Sequence, residues 1–239
     1  MNQRPIFITG IGTDIGKTVV AAIVTEALHA SYWKPVQAGF NNGTDTGWVG
    51  ERISHPEGRL LPETYKLALP ASPHIAAREE GITISLDRIA AQFETFRAAL
   101  PSSTVSSSHP SGSSEAPPRF LVIEGAGGLF VPLNDTQFVI DLVKRLDATV
   151  LLVSRNYLGS INHSLLTAAA CRSHGLHTAG WIFNDQYLHY EDEIVQWSGI
   201  PALASIPFCE RPDREFIRSE ANRIRESLLS ALHPSDRQI

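Results

Sequence analysis

Apolar positions along the chain follow two rhythms. Short continuous runs at residues 6–9, 120–123, 149–153, 178–183 and 201–206, with a further one at 32–36, have the character of strands buried on both faces. Between them, apolar residues recur every three or four positions. Over 16–30 the stripe is Val20, Ile23, Val24, Ala27 and Leu28, and over 85–100 it is Leu86, Ile89, Ala90, Phe93, Phe96 and Leu100. That spacing predicts amphipathic helices, and the same reading gives helices over 160–174, 187–197 and 213–232. Residues 39–50 are polar and Gly-rich, and the sequence from there to Pro73 is less regular. Strands alternating with helices imply an α/β fold, a doubly wound parallel sheet with helices on both faces.

One stretch breaks the alternation. Residues 101–118 contain eight serines, with prolines and a glycine and almost nothing apolar. Such a segment cannot bury enough surface to offset the entropy of ordering it, and a flexible Ser/Pro-rich surface loop is expected. It joins a helix to the strand at 120–123, so the whole of 1–239 is expected to form a single domain.

Composition narrows the class of function. With 43% hydrophobic and 19% charged residues the chain has the balance of a globular protein. A net charge of −5 and a pI near 6.0 give no general attraction to nucleic acid or an anionic membrane, so neither is expected as a partner. No apolar run approaches the roughly 20 residues that span a bilayer. The N-terminus passes from Met-Asn-Gln-Arg-Pro directly into the first strand, which leaves no room for a secretory signal and predicts a cytoplasmic protein. Cys171 and Cys209 are expected as two buried thiols rather than a disulfide. The nine histidines show no metal-ligand spacing.

The chemistry is concentrated after the first strand, in Gly10-Ile11-Gly12-Thr13-Asp14-Ile15-Gly16-Lys17-Thr18. A strand leading into a glycine-rich turn that opens a helix with Gly-Lys-Thr is a phosphate cradle. Glycines let the backbone approach phosphate oxygens, the helix N-terminus presents amide donors, Lys17 can reach the β/γ-phosphates and Thr18 can ligate Mg²⁺. The spacing is one residue longer than the usual G-x-x-x-x-G-K-T. A dinucleotide fingerprint fits less well, because Ile15 occupies the third glycine position and the second strand ends near Lys34 rather than an acid. Glu124 ends the run Phe120-Leu121-Val122-Ile123, where the second acid of a triphosphate site belongs, and Gly125-Ala126-Gly127-Gly128 follows. Lys34 closes the second strand, at the edge where parallel sheets bind ligands, although by itself it reads more readily as a surface lysine. Asp45, in Gly43-Thr44-Asp45-Thr46, suits either a metal ligand or a turn.

These motifs, with Ser72-Pro73-His74-Ile75-Ala76-Ala77, Leu158-Gly159-Ser160-Ile161-Asn162-His163 and Asn184-Asp185, stand in an order that resembles the dethiobiotin synthetases. The likeness runs from Ile6 to about Phe208, with the Ser-rich segment as an insertion. It implies a P-loop NTPase-like fold and an ATP- and Mg²⁺-dependent cyclo-ligase of biotin biosynthesis that converts 7,8-diaminononanoate and CO₂ into dethiobiotin. It implies catalytic roles for Lys17, Lys34 and Thr13, with Thr18, Asp45 and Glu124 placing Mg²⁺. ATP would contact Asp14, Ile15, Gly16, Lys17, Thr18, Val19, Asp45, Glu124, Gly125, Ala126 and Gly127, and the adenine would meet Asn184, Asp185, Pro207 and Phe208. Substrate would meet Thr13, Lys34, Ala38, Gly159 and Asn162, the last two across a homodimer interface. Two departures from relatives, Gly10-Ile11-Gly12 at the loop start and Ala38 where Ser or Thr is common, bear on substrate affinity more than on reaction type.

Two other activities share the implied fold. The septum-positioning and plasmid-partition ATPases carry a lysine five residues before the P-loop lysine, where this chain has Gly12. Their membrane-binding tails are basic, whereas the closing helix here mixes Arg214, Arg218, Arg223 and Arg225 with Glu215, Glu220 and Glu226. A cobyrinate amidase would add a glutaminase domain for which the chain has no room.

Overall fold

In the computed structural model, residues 4–41, 43–100, 120–185, 188 and 190–232 are described; the Ser/Pro-rich stretch at 101–118 lies outside them. The chain runs β1 (Ile6–Gly10), α1 (Lys17–Ala27), β2 (Ser31–Trp33), β3 (Val36–Ala38), α2 (Asp45–Gly50), β4 (Leu60–Leu61), β5 (Tyr65–Leu67), α3 (Pro73–Glu79) and α4 (Leu86–Ala99). It continues through β6 (Leu121–Glu124), α5 (Val139–Arg145), β7 (Thr149–Arg155), α6 (Ser160–Ser173), β8 (His177–Asn184), α7 (Tyr190–Ser198), β9 (Ala202–Ile206) and α8 (Arg214–Leu232).

Seven strands form one sheet in the order β4-β2-β6-β1-β7-β8-β9, with every neighbouring pair parallel. The continuous apolar runs have the physical reason anticipated: both faces are covered. One face packs Phe7, Trp33, Ile123 and Leu152 with residues of α3 to α7; the other packs Ile8, Tyr32, Val122 and Leu151 with α1, α2 and α8. Each fully buried Val, Ile or Leu in these layers contributes about 2 kcal/mol by removing apolar surface from water. No helix among the described residues is long and apolar enough to cross a membrane.

Several boundaries differ from the periodicity. The helix expected over 16–30 stops at Ala27, because His29 turns left-handed (φ 47) and Ala30 N–H reaches back to Thr25 O at 2.9 Å, a Schellman ending. The run at 32–36 is not one strand. Lys34 and Pro35 separate β2 from β3, which leaves the main sheet to pair with β5 in a two-stranded ladder. Proline cannot donate to a ladder, so the break falls there. The irregular stretch before Pro73 contains α2, β4 and β5, and α5 follows the loop after β6. These elements are two to seven residues long, too short for a periodicity to register. The helix expected over 187–197 is described from Tyr190 to Ser198.

Candidate active site

At the carboxyl edge of the sheet, the loop from β1 winds into α1. Gly16 caps that helix with φ 86, and a Cβ on it would stand 2.4 Å from Asn184 Nδ2. The same amide donates to Ile15 O at 2.7 Å, so the end of β8 holds the loop in place. Only glycine satisfies the backbone angle and the close approach together. From the other side, Gly128 packs against the loop, where a Cβ would meet Gly10 O at 3.0 Å. Lys17 folds over the turn and donates to Gly12 O at 2.6 Å.

The acidic half of the site follows from strand alternation. β2 and β6 are paired Tyr32 to Val122 and Trp33 to Ile123. One residue further, Lys34 comes level with Glu124, on the sheet face that α1 covers. Glu124 is 1% exposed. Its Oε1 accepts from Thr18 Oγ1 and from Lys34 Nζ, each at 2.9 Å, and its Oε2 accepts from the Tyr32 hydroxyl at 2.7 Å. Lys34 Nζ also pairs with Asp45 Oδ2 at 2.5 Å. Asp45 opens α2, where Thr44 caps the helix by accepting from Gly47 N–H at 3.0 Å. The Asp45 N–H donates to Gln37 Oε1 at 3.0 Å, and Gln37 is anchored by donating to Gly39 O at 2.8 Å.

Charge and burial set the protonation of this cluster. Burial opposes the Lys34 ammonium, but the adjacent Glu124 and Asp45 outweigh it and raise its pKa, so Lys34 stays charged. Lys17 lacks so close a partner; burial lowers it to about 8, with Glu124 pulling it up and Lys34 pushing it down. Burial, with Glu124 beside it, pushes the Tyr32 phenol well above its ordinary value, keeping it a neutral donor.

Thr18, Asp45 and Glu124 offer a donor set made wholly of oxygen; the two carboxylates already flank a positive charge, and Thr18 touches Glu124. Among the described residues no group of three or more His, Cys, Asp or Glu is gathered to hold a metal by itself. The set therefore fits a cation that completes its shell from phosphate and water, as Mg²⁺ does.

Beyond the P-loop lies a cleft of about 150 Å³. It is lined by Asp14, Ile15, Gly16 and Val19 from the P-loop and α1, by Arg155, Asn184 and Asp185 from the ends of β7 and β8, and by Pro207, Phe208, Cys209 and Phe216 from the segment after β9. Arg155 Nε donates to Asp185 Oδ2 at 2.6 Å, and Asn156 Nδ2 to Asp185 O at 2.9 Å.

Residues 4–215 match the AAA domain family. An ATP-dependent dethiobiotin synthetase BioD from Cytophaga hutchinsonii is 39% identical over 223 residues, which cover 93% of this chain and 97% of the relative. A second of the same name, from Rhodopseudomonas palustris (strain HaA2), is 42% identical over 205 residues and 85% of each chain. The chain belongs to the dethiobiotin synthetase family. Among solved structures, a ParA family ATPase from Chlorobium tepidum TLS aligns with TM-score 0.57 at 14% identity, covering 98% of this chain and 100% of that one. The septum site-determining protein MinD complexed with Mg-ADP from Pyrococcus horikoshii OT3 aligns with TM-score 0.53 at 13% identity, covering 94% and 93%. At such identities these two speak for the P-loop NTPase fold alone.

The residues that the dethiobiotin synthetase resemblance singled out fall into five places. Lys17, Thr18, Lys34, Asp45 and Glu124 form the cluster just described. Asp14, Ile15, Gly16, Val19, Asn184, Asp185, Pro207 and Phe208 line the cleft. Gly125, Ala126 and Gly127 form the loop after β6, and a Cβ on Gly127 would lie 3.8 Å from Thr13 Oγ1 at the exposed tip of the P-loop. Ala38 ends β3, half-buried. Gly159 and Asn162 stand apart at the start of α6, Gly159 capping it with φ 105 and Asn162 exposed. Among the described residues neither hydrogen-bonds to the P-loop or to the carboxylate cluster.

Sequence reasoning missed Tyr32, Gln37 and Arg155. Tyr32 precedes Lys34 by two positions and so shares its face, while Arg155 ends β7 as Asn184 ends β8; both signals were available. The expectation for the cysteines needs correction. Both thiols are free, but only Cys171 is buried; Cys209 is half-buried, because the turn after β9 lines the cleft.

Proposed function

We propose that this protein, working in the cytoplasm, carboxylates 7,8-diaminononanoate with CO₂ and closes the ring at the expense of ATP to give dethiobiotin. The observation that carries the reading is the charged Lys34, buried between Glu124 and Asp45 beside the P-loop lysine, in a member of this family.

An amine of the substrate adds to CO₂ and loses a proton to give a carbamate. A carbamate oxygen attacks the γ-phosphorus as the bond to ADP breaks; the second amine then attacks the carbamoyl carbon, and inorganic phosphate leaves. The carbamate is itself the nucleophile, so the protein need only position the groups and neutralise charge. Lys17 and Lys34 hold the carbamate and the γ-phosphoryl oxygens, and Thr13 hydrogen-bonds beside them. Thr18, Asp45 and Glu124 would hold Mg²⁺, which would supply further charge neutralisation at the phosphates. The adenine fits between Asn184, Asp185, Pro207 and Phe208. With Asn184 Nδ2 committed to Ile15 O, its Oδ1 is left to accept from the exocyclic amine.

A homodimer completes the substrate site in this reading. Gly159 and Asn162 of a second copy would receive the substrate carboxylate at the α6 N-terminus. Leu158, just before the α6 cap, and Leu166, within α6, are 83% and 62% exposed and supply apolar surface for the contact. Two free cysteines agree with a reducing compartment.

Purified protein given Mg-ATP, bicarbonate and the diamine is expected to release ADP and form the cyclic urea in equal amounts. ATP hydrolysis indifferent to the diamine would overturn the reading.

Lys17 also makes nucleotide binding depend on pH. It carries its charge below about 8 and loses it above, and only the charged form attracts phosphate. ADP affinity is therefore expected to be flat on the acidic side and to fall as pH rises through that value. Calorimetry on the alkaline side, in two buffers of different ionisation enthalpy, should register proton uptake on binding, and Lys17→Met should abolish it.

A further inference from the structure

Glu124 divides its partners by oxygen. Thr18 and Lys34 both donate to Oε1, on the side of the P-loop; among the described residues, Oε2 receives only the Tyr32 hydroxyl, at 2.7 Å. The Tyr32 ring is completely buried in the apolar layer that also holds Ile23 and Val122, so its hydroxyl cannot follow the carboxylate if it turns. The terminal torsion of a glutamate is soft, and partners on one oxygen alone leave the carboxylate plane poorly defined. A second donor, on a rigid ring, removes that freedom.

The geometry points to Tyr32 as a positioning residue that fixes the Glu124 carboxylate plane and turns Oε1 toward the divalent cation bound with the nucleotide. This rests on the reading of Thr18, Asp45 and Glu124 as the cation-binding set. Tyr32 acts through Glu124, in the way that partners behind a metal ligand orient it. The adjacent Trp33 provides a contrast. It points to the opposite face of β2, packs on Phe93 and Phe96, and donates to Pro62 O at 3.1 Å.

Tyr32→Phe keeps the ring and removes one oxygen. With ADP present, Mn²⁺ binding followed by electron paramagnetic resonance is expected to weaken about tenfold in Tyr32→Phe. ADP binding in EDTA should be unaltered, and thermal unfolding should confirm that the variant is folded. Trp33→Phe is expected to lower the unfolding temperature without changing Mn²⁺ affinity. Weakening in Trp33→Phe equal to that in Tyr32→Phe would reduce the effect to core loosening and overturn the role. Glu124→Gln separates the two layers of inference. If it weakens Mn²⁺ binding while Tyr32→Phe does not, the positioning role falls alone; if Glu124→Gln has no effect, the cation reading falls and the Tyr32 role with it.

Discussion

Replacing Lys34 with alanine is expected to lower kcat by about 10³-fold while changing Mg-ADP affinity by less than about threefold, because in the proposed mechanism the Lys34 charge serves the transferring phosphoryl group, and so acts mainly in the transition state. Lys34 sits at the end of β2 with its ammonium shared by Glu124 and Asp45, and the side chain is only 6% exposed. Its charge is therefore held in place before any substrate arrives, at no cost of reorganisation during the reaction. Without it, Glu124 still accepts from Thr18 and Tyr32, but a buried carboxylate loses its cationic partner. The nucleotide-free variant should then unfold at lower temperature, and saturating Mg-ADP should stabilise it by about as much as it stabilises the unaltered protein. Single-turnover ADP release and calorimetric Mg-ADP titration separate the two effects. Equal losses in turnover and affinity would contradict the assignment.

Gly16→Ala is expected to weaken ADP binding by about 10²-fold. The left-handed backbone at φ 86 costs an alanine about 1–2 kcal/mol. Its methyl would stand 2.4 Å from Asn184 Nδ2, which must move and surrender its hydrogen bond to Ile15 O. A lost hydrogen bond adds about 1 kcal/mol, and each 1.4 kcal/mol is roughly a factor of ten in affinity. The P-loop and the cleft beside it would be disturbed together, since Asn184 touches the one and lines the other. Gly12→Ala, where a new methyl meets nothing within 4 Å, should cost far less in the same titration. Similar losses in the two variants would mean that the loop moves enough on binding to erase the distinction.

The parts of the molecule differ in how openly the sequence announced them. The glycine spacing around Lys17 and the acid closing the apolar run at Glu124 were legible because each is a local pattern at a strand end; Asn184-Asp185 were singled out only by the family resemblance. The break between β2 and β3 was missed, because the apolar run through Val36 concealed it, although Pro35 stands there. The helix carrying Asp45 was not legible. Six residues make too little periodicity, and its position depends on Gln37, which accepts the Asp45 N–H from a different ladder. Tyr32 looked like one more apolar strand residue because its ring is one; only its hydroxyl belongs to the site.

The sequence by itself determined the alternation of strands and helices, the family, and the residue types that phosphate chemistry requires. All of these are written in short-range order, as periodicity and spacing. Tertiary structure decided which of those residues meet. Lys34 and Tyr32 reach Glu124 across 90 and 92 residues, and Thr18 reaches it across 106, because β6 is inserted between β1 and β2 in the sheet. That strand order also set the protonation of the site. Lys17 and Lys34 are the same residue type, yet burial lowers one to about 8 while two nearby carboxylates raise the other.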